Sequence, residues 1–237
     1  AAALRTPPHP LTVLIDPGIG DRAGVARALA GAAREAGCRP RMLTGPRTDV
    51  TELGEVLAGS GVVAVREQKP MLLYRLAELI EPVGVRGTGR AADVGHPADL
   101  ELLARWFYDF AVETGTVPLP TAPDPEAVRT REDRGARHLL WVVDDHPVAL
   151  AGHSVVVDAM ARIGPVYTPQ PLRGRGFGAA VTAAAARSAQ RAGADQVVLF
   201  TDAGYAPSNA VYRRLGFEVV DEFCELTLDL PESLRPV

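Results

Sequence analysis

Apolar residues in the first eighty positions switch between the alternating spacing of strands and the three-to-four-residue spacing of helices. Two short apolar runs predict strands, and two stripes at helical spacing predict helices, the first of which is capped by Asp21 and ended by Gly37. Two further runs predict a strand hairpin. The predicted elements are strands at Leu11–Ile15 and Arg41–Thr44, helices at 21–37 and 49–58, and hairpin strands at Val62–Val65 and Met71–Leu76.

The rest of the chain continues the alternation with longer elements. Residues 116–125 contain four prolines and are predicted to be a loop, while Asp144–Pro147 has the composition of a hairpin turn. The pattern predicts a mixed α/β sheet. Its elements are helices at 97–114, 176–192 and 208–215, and strands at 139–143, 148–157, 161–168, 196–200, 217–220 and 223–228.

An internal repeat is suggested when Gly37 is placed over Gly193. The stretch ALAGAAREAGCRPRMLT then aligns with TAAAARSAQRAGADQVVLF, helix over helix and strand over strand. Each copy is preceded by a predicted strand and followed by a shorter helix. The alignment favours a duplication of one structural unit.

Length and composition set limits on these elements. At roughly 150 residues per domain, 237 residues correspond to about 1.6 domains. With 47 % apolar and 23 % charged residues, the chain can bury a sizeable core. The net charge of −4 disfavours a general nucleic-acid binder, and no apolar run approaches the ~20 residues of a membrane helix.

Processing and compartment are predicted from the ends and from the cysteines. The opening residues lack the apolar core of a secretory signal, and Cys38 and Cys224 lie far apart without metal-ligand spacing. We therefore expect a reduced, cytoplasmic protein without a metal or a membrane partner. Because the sequence begins with Ala1 rather than Met, we expect that the natural chain extends further at its N-terminus.

The segment Tyr167–Gly178 carries the clearest chemical pattern, because it leads from a predicted strand into a predicted helix. Glycines at alternate positions allow successive backbone N–H groups to converge on one point. At a helix N-terminus, such a nest binds anions. Arg173 and Arg175 add guanidinium groups suited to phosphate oxygens. The segment therefore predicts a pyrophosphate cradle. Its glycines are Gly174, Gly176 and Gly178.

A dinucleotide fingerprint is a weaker interpretation of the same loop. Gly174, Gly176 and Ala179 satisfy the loose spacing, with Asp195 or Asp202 near the distance expected for a ribose contact. However, a proline-containing segment separates the strand from the glycines, and the preceding strands are predicted to be antiparallel. An oxidoreductase that binds a nicotinamide cofactor is therefore kept only as a third hypothesis.

At this loop the chain resembles the GCN5-related N-acetyltransferase (GNAT) superfamily, whose signature is Arg/Gln-x-x-Gly-x-Gly/Ala. A second match lies in APSNAVYRRLGFEVV, where the family places Asn and Tyr on a short helix before a Gly-Phe turn. The resemblance covers about residues 86–230. The matching residues are Arg173, Gly176 and Gly178 in the first motif, and Asn209, Tyr212, Gly216 and Phe217 in the second.

The resemblance implies binding of acetyl-coenzyme A as co-substrate. Backbone groups of Val166, Tyr167 and Thr168 would bind the pantetheine arm like an added strand. Asn209 would contact the pantetheine from the facing helix. The pyrophosphate would be held by the backbone amides of Leu172, Arg173, Gly174, Arg175, Gly176, Phe177 and Gly178.

The implied reaction is direct transfer of an acetyl group, in a ternary complex, to a primary amine of an unidentified small molecule or peptide. Tyr212 would protonate the leaving coenzyme A thiolate, and the Val166 N–H would stabilise the oxyanion. The general base is left open among Asp158, His153, Asp144 and Glu113. An acyl-coenzyme A-binding sensor, or an inactive GNAT relative, is the alternative, and a homodimer is left open.

The first eighty residues resemble the back half of the same domain but lack the cradle. Asp16 and Asp21 occupy the corresponding loop, where no arginine is present, so the loop would repel pyrophosphate. We predict a partial, degenerate GNAT-like domain over residues 1–82, followed by a complete catalytic domain over residues 83–237.

Overall fold

The computed structural model describes residues 1–5, 10–38, 40–59, 65–115 and 119–228. The chain forms two compact units. The first contains Ala1–Leu72, Asp202–Gly204 and Asp221–Val237, and the second contains Leu73–Thr201 and Tyr205–Val220. Tyr74 and Leu76, near the end of one strand, are buried and belong to the second unit. The domain boundary after residue 82 stays a prediction from the sequence.

The first unit is a small mixed sheet with two helices. The strand order is β1–β2–β3–β10, in which only β2 and β3 are parallel. The elements, of which β4 and β10 belong only partly to this unit, are β1 (Ala2–Arg5), β2 (Leu11–Leu14), α1 (Arg22–Glu35), β3 (Met42–Pro46), α2 (Arg47–Gly59), β4 (Val65–Leu76) and β10 (Phe217–Leu228). Alternate residues of the strands form the core with the inner face of α2, including Val13, Leu43, Leu53 and Leu226.

Asp49 is a buried carboxylate in this unit, with 2 % of its surface exposed. Its Oδ2 atom accepts a hydrogen bond from the Ile15 N–H at 2.7 Å, just after the end of β2. Its Oδ1 atom lies 2.5 Å from Nη2 of Arg22, which also binds Glu52. A buried charge is tolerated only when it is paired in this way. The carboxylate therefore fastens α1 and α2 to the end of β2.

The second unit contains a larger sheet with the order β10–β4–β9–β8–β7–β6–β5. Neighbouring strands from β5 to β8 are antiparallel, whereas β8 and β9 are parallel. Its further elements are β5 (Thr88–Ala91), α3 (Pro97–Thr114), α4 (Pro125–Asp133), β6 (Arg137–Val143), β7 (His146–His153), β8 (Met160–Tyr167), α5 (Phe177–Arg191), β9 (Gln196–Asp202) and α6 (Ala206–Arg214). The mixed α/β fold expected from the sequence is confirmed.

The core of the second unit lies between this sheet and its helices. Leu103 and Val128 are completely buried and join α3 and α4 to the sheet, where they meet Leu140 of β6 and Leu150 of β7. The buried face of α5 carries small side chains, which are seven buried or half-buried alanines and Val181. Because these side chains are short, the helix lies close to β7. In the part of the chain that is described, no helix is long and apolar enough to cross a membrane.

The structure corrects two sequence predictions and adds elements that the sequence did not predict. Val65–Leu76 is one continuous strand rather than part of a hairpin, and residues 62–64 lie outside the described residues. The runs at 217–220 and 223–228 also form one strand, because exposed residues between them stay extended. The sequence missed α4, which begins after the capping residue Asp124, and β5, whose four residues are all exposed. Of the predicted 116–125 loop, residues 116–118 lie outside the described residues.

We expect Asp49→Asn to destabilise the first unit by about 1–3 kcal/mol, because one buried hydrogen bond and the charge facing Arg22 are both weakened. The measurement is urea unfolding together with hydrogen exchange of the Ile15 amide, which should become faster. Glu55→Gln, at an exposed position of α2, is the matched control. Equal stability of the two variants would show that Asp49 does not fasten these elements.

Candidate functional site

Strands β8 and β9 separate in the middle of the larger sheet. Their parallel pairing runs from Met160–Gln196 to Ile163–Leu199 and ends there, although both strands continue. On its other side β8 stays paired with β7 as far as Tyr167. Residues 164–167 therefore offer alternate backbone groups on an edge where the described chain supplies no strand partner. Such an edge can bind an extended ligand by hydrogen bonds to the main chain.

The loop after β8 builds the N-terminus of α5 without a capping side chain. Gly174 and Gly176 have φ values of +78° and +83°, in the left-handed region that favours glycine. Gly176 is the N-cap residue, and because it has no side chain it cannot cap the helix. Helical bonding begins with the Ala180 N–H, which donates to the Gly176 carbonyl at 3.0 Å. The preceding amides, together with the helix dipole, can therefore bind an anion.

Two glycines of this loop lie close to neighbouring atoms. A Cβ atom at Gly176 would lie 3.0 Å from Cγ2 of Val85, and one at Gly178 would lie 3.3 Å from Oγ1 of Thr168. A side chain at either position would crowd its neighbour, and at Gly176 it would also strain the backbone. The role of these glycines in admitting a pyrophosphate stays a prediction.

In the first unit, the loop before α1 corresponds to the loop before α5, and carboxylates accept hydrogen bonds from its backbone amides. Asp21 is the N-cap residue of α1 and accepts a hydrogen bond from the Gly24 N–H at 2.8 Å. Asp16 accepts one from the Gly18 N–H at 2.8 Å. These side chains satisfy amides that a phosphate would need, and their charges would repel it. The N-termini of α1 and α5 therefore differ in charge and in accessibility.

The two arginines of the cradle have different environments. The Nε atom of Arg173 donates to the Thr168 carbonyl at 2.8 Å, and its guanidinium forms an ion pair with Glu113 and lies over the Tyr167 ring. The hydrogen bond to Glu113 raises the pKa of Arg173. Arg175 is exposed, and its one hydrogen bond within the described residues is to the Pro171 carbonyl, at 3.4 Å. Arg173 thus braces the loop against α3, and Arg175 is the better placed cation for a phosphate.

Glu113 connects the end of α3 to the cradle. In addition to Arg173, it accepts a hydrogen bond from the Tyr167 hydroxyl at 3.0 Å. Burial, and then this hydrogen bond, raise the pKa of Tyr167 to about 12. Tyr167 also packs against Trp106 of α3, with ring centres 6.1 Å apart. Glu113 is therefore the one candidate base that contacts predicted cofactor residues in the described structure.

The other three candidate bases lie elsewhere. Asp144 is in the exposed β6–β7 turn, where it pairs with Arg86. Asp158 is in the exposed turn just before β8, at the end of that strand opposite the cradle. His153 is 2 % exposed, with Nδ1 2.8 Å from the Ser154 carbonyl and Nε2 3.0 Å from the Ser188 hydroxyl. Burial lowers the pKa of His153.

The predicted residues of α6 both lie in the core. Tyr212 is 8 % exposed and Asn209 is 4 % exposed. The Asn209 amide accepts a hydrogen bond from the Tyr74 hydroxyl at 3.0 Å and donates one to the Tyr205 carbonyl at 3.0 Å. The contact of Asn209 with a pantetheine arm therefore stays a prediction. Burial, followed by the nearby Tyr74, raises the pKa of Tyr212 to about 12.

Tyr74 is the site residue that sequence reasoning missed. It is fully buried on β4, and its ring centre lies 6.0 Å from that of Tyr212. The only signal in the sequence was a polar-tipped aromatic residue within the apolar run at residues 71–76. Its partners are 135 or more positions away, so no local pattern could reveal them. Among the described residues, no cluster of three or more acidic, histidine or cysteine side chains could hold a metal ion.

Comparisons with known proteins were made against families, sequences and structures. Residues 101–217 match the acetyltransferase (GNAT) family. A stretch of 62 residues, 25 % of this chain and 20 % of the relative, is 40 % identical to a mycothiol acetyltransferase of Saccharomonospora viridis. A stretch of 90 residues, 38 % of this chain and 26 % of the relative, is 32 % identical to a mycothiol acetyltransferase of Corynebacterium aurimucosum.

The structural comparison covers more of the chain. A GCN5-related N-acetyltransferase from Kribbella flavida has the same fold, with a TM-score of 0.59 and 24 % identity over 90 % of this chain and 78 % of that one. The chain matches only 20 % and 26 % of the lengths of the two sequence relatives. The comparisons therefore establish a family and a fold, without an acceptor.

We expect the Tyr212 phenol to ionise near pH 12 rather than near 10, because burial disfavours the phenolate. Since the pKa is higher in the folded state, the protonated phenol contributes stability that is complete below pH 10 and is lost as the pH rises towards about 12. The measurement is the alkaline rise of phenolate absorbance in the wild-type protein minus that in Tyr212→Phe. A difference that titrates near 10 would contradict the buried placement.

Proposed function

The chain belongs to the GNAT superfamily, and on that basis we propose that it transfers an acetyl group from acetyl-coenzyme A to a primary amine. The observation that carries the proposal is the uncapped N-terminus of α5 beside the point where β8 and β9 separate. The first feature suits a pyrophosphate, and the second suits an amide-bearing arm. Coenzyme A contains both groups in one molecule.

The cofactor would bind along β8 with its phosphates at α5. The amides of residues 172–178 would hold the pyrophosphate, with Arg175 beside it. The backbone of Val166, Tyr167 and Thr168 would pair with the pantetheine arm. Glu113 and Thr168 hold Arg173 against α3, so this arginine would support the loop instead of binding phosphate directly.

The reaction would need little covalent help from the protein. The neutral amine nitrogen attacks the thioester carbonyl, and a backbone N–H, for which we favour Val166, stabilises the oxyanion. The carbon–sulfur bond then breaks, and Tyr212 donates its proton to the thiolate. A phenol whose pKa is about 12 remains protonated at neutral pH, as a general acid must. Glu113 is the candidate that we favour for receiving the amine proton, directly or through water.

The acceptor is the least defined part of the proposal. Both sequence relatives are named mycothiol acetyltransferases, so the unacetylated precursor of mycothiol belongs in the first set of amines tested. Primary amines of other small molecules and of peptide N-termini complete that set. Release of free thiol from acetyl-coenzyme A with any of these amines would support an enzyme. Binding without turnover on every amine would instead favour an acyl-coenzyme A sensor.

We expect Gly176→Asp to weaken binding of coenzyme A by about 100-fold or more, because the variant places a carboxylate and a crowded side chain at the phosphate position. The measurement is titration calorimetry. Gly193→Asp is the matched control, since Gly193 also has a positive φ but lies beyond the other end of α5, with nothing within 4 Å of an added Cβ. Equal affinity of the two variants would contradict the cradle.

We expect Tyr212→Phe to bind acetyl-coenzyme A within about twofold of the wild-type affinity and to lower kcat by about 10- to 100-fold, because the thiolate loses its proton donor. The measurement is thiol release with the best amine of the set. If kcat does not change, another group or water protonates the thiolate, and the role assigned to Tyr212 is wrong.

A further inference from the structure

Tyr74 and Tyr212 are two buried phenols in contact, and their hydroxyl groups differ. The Tyr74 side chain is completely buried, and its hydroxyl donates to Oδ1 of Asn209 at 3.0 Å. The Tyr212 ring packs against Tyr74 on one side and Phe217 on another, with ring centres 6.0 and 6.1 Å apart. In the described structure, no side chain or carbonyl group accepts the Tyr212 proton. The Tyr74 hydroxyl proton is therefore used in a hydrogen bond within the protein, whereas the Tyr212 hydroxyl proton is available for transfer.

Asn209 is fixed at both ends of its amide. Its oxygen accepts from Tyr74, and its Nδ2 atom donates to the Tyr205 carbonyl at 3.0 Å, one turn earlier. Asn209 and Tyr212 are three residues apart, so they lie on the same face of α6. A contact that fixes Asn209 therefore also limits the rotation and translation of Tyr212.

We propose that Tyr74 is a positioning residue for Tyr212, holding α6 through Asn209 and through its own ring. This inference rests on the proposed function, in which Tyr212 is the proton donor. Tyr74 does not touch the reacting atoms, and it acts by keeping the neighbouring phenol in place. Its strand, β4, therefore contributes a side chain to the organisation of the site.

The energetic reason lies in the burial of Asn209. If the Tyr74 hydroxyl is removed, the Asn209 oxygen loses its donor where 4 % of the residue is exposed. Loss of a buried hydrogen bond is unfavourable, so Asn209 would turn or α6 would shift. α6 has only nine residues, and Tyr205, its N-cap residue, makes no side-chain cap. Misplacement of a catalytic group by about 1 Å can cost up to 100-fold in rate.

The decisive experiment is a double-mutant cycle of Tyr74→Phe and Tyr212→Phe, measured as kcat and as KM for acetyl-coenzyme A. We expect Tyr74→Phe to lower kcat by about tenfold and to change KM by less than about twofold. In the Tyr212→Phe background, the same substitution should lower kcat by less than about twofold. The fold-effects would then be strongly non-additive, as they are for residues that act as a unit.

A purely structural role of Tyr74 predicts different results. Equal fold-losses of kcat in the two backgrounds, or a loss confined to KM, would overturn the proposal. Tyr108→Phe, a change of the same chemistry on α3, is the control and should leave kcat and KM unchanged. Hydrogen exchange of the α6 amides shows whether the helix has unfolded. If it has, 4-aminophenylalanine at position 74, which restores an N–H donor where the phenol oxygen lies, should recover kcat if the positioning role is right.

The proposed function is tested separately from this inference. If the wild-type protein binds coenzyme A but acetylates no amine, the proposed function fails while Tyr74 can still be examined. Positioning then requires that Tyr74→Phe shift the NMR ring signals of Tyr212, because the two rings are in contact and α6 is held through Asn209, while Tyr108→Phe leaves those signals unchanged. Unchanged Tyr212 ring signals in Tyr74→Phe would overturn the inference in that case.

Discussion

The end of the β8–β9 pairing at Ile163–Leu199 is the constraint on which the candidate site depends. While two parallel strands are bonded to each other, their backbone groups are satisfied and cannot bind anything else. Beyond that pair, β8 stays attached to β7 and so remains extended, but no described strand pairs with its other edge. The chain then passes through residues 168–176, which include a short 3-10 helix at Gln170–Leu172, to the N-terminus of α5. An open strand edge and an uncapped helix end thus lie at the two ends of one short loop.

The helix N-termini of the two units show how few residues decide whether such a turn can bind an anion. The order β2–α1–β3–α2 matches the order β8–α5–β9–α6, and both central strand pairs are parallel. At α1 the cap is Asp21, whose carboxylate occupies the first amides, whereas at α5 the cap is Gly176, which has no side chain. The N-terminal amides are therefore bonded to a carboxylate at α1, whereas those at α5 have no side-chain cap. Duplication of an ancestral unit remains a prediction from the sequence, and this shared order agrees with it.

Residues of the candidate site could be predicted from the sequence where the chemistry is local. The glycines and arginines between Arg173 and Gly178 lie within six positions, so their spacing alone indicated a turn and a helix N-terminus. The side-chain directions could not be predicted in the same way. Arg173 turns towards Glu113 because α3 lies beside β8, and α3 is sixty positions earlier in the chain. Asn209, placed by its motif next to a ligand, is bonded to Tyr74, which no local pattern marks as a partner.

The sequence by itself determined the order of most helices and strands, the mixed α/β class and the glycine-rich loop before α5 that is predicted to bind an anion. These features depend on hydrophobic periodicity and on glycine spacing, which act over fewer than about twenty residues. Only the tertiary structure decided that residues 65–76 form one strand, that this strand carries Tyr74 to α6, and that Glu113 alone among the candidate bases contacts the cradle. The physical reason is that burial and hydrogen bonding between distant residues depend on which surfaces meet. A linear pattern of polar and apolar residues does not contain that information.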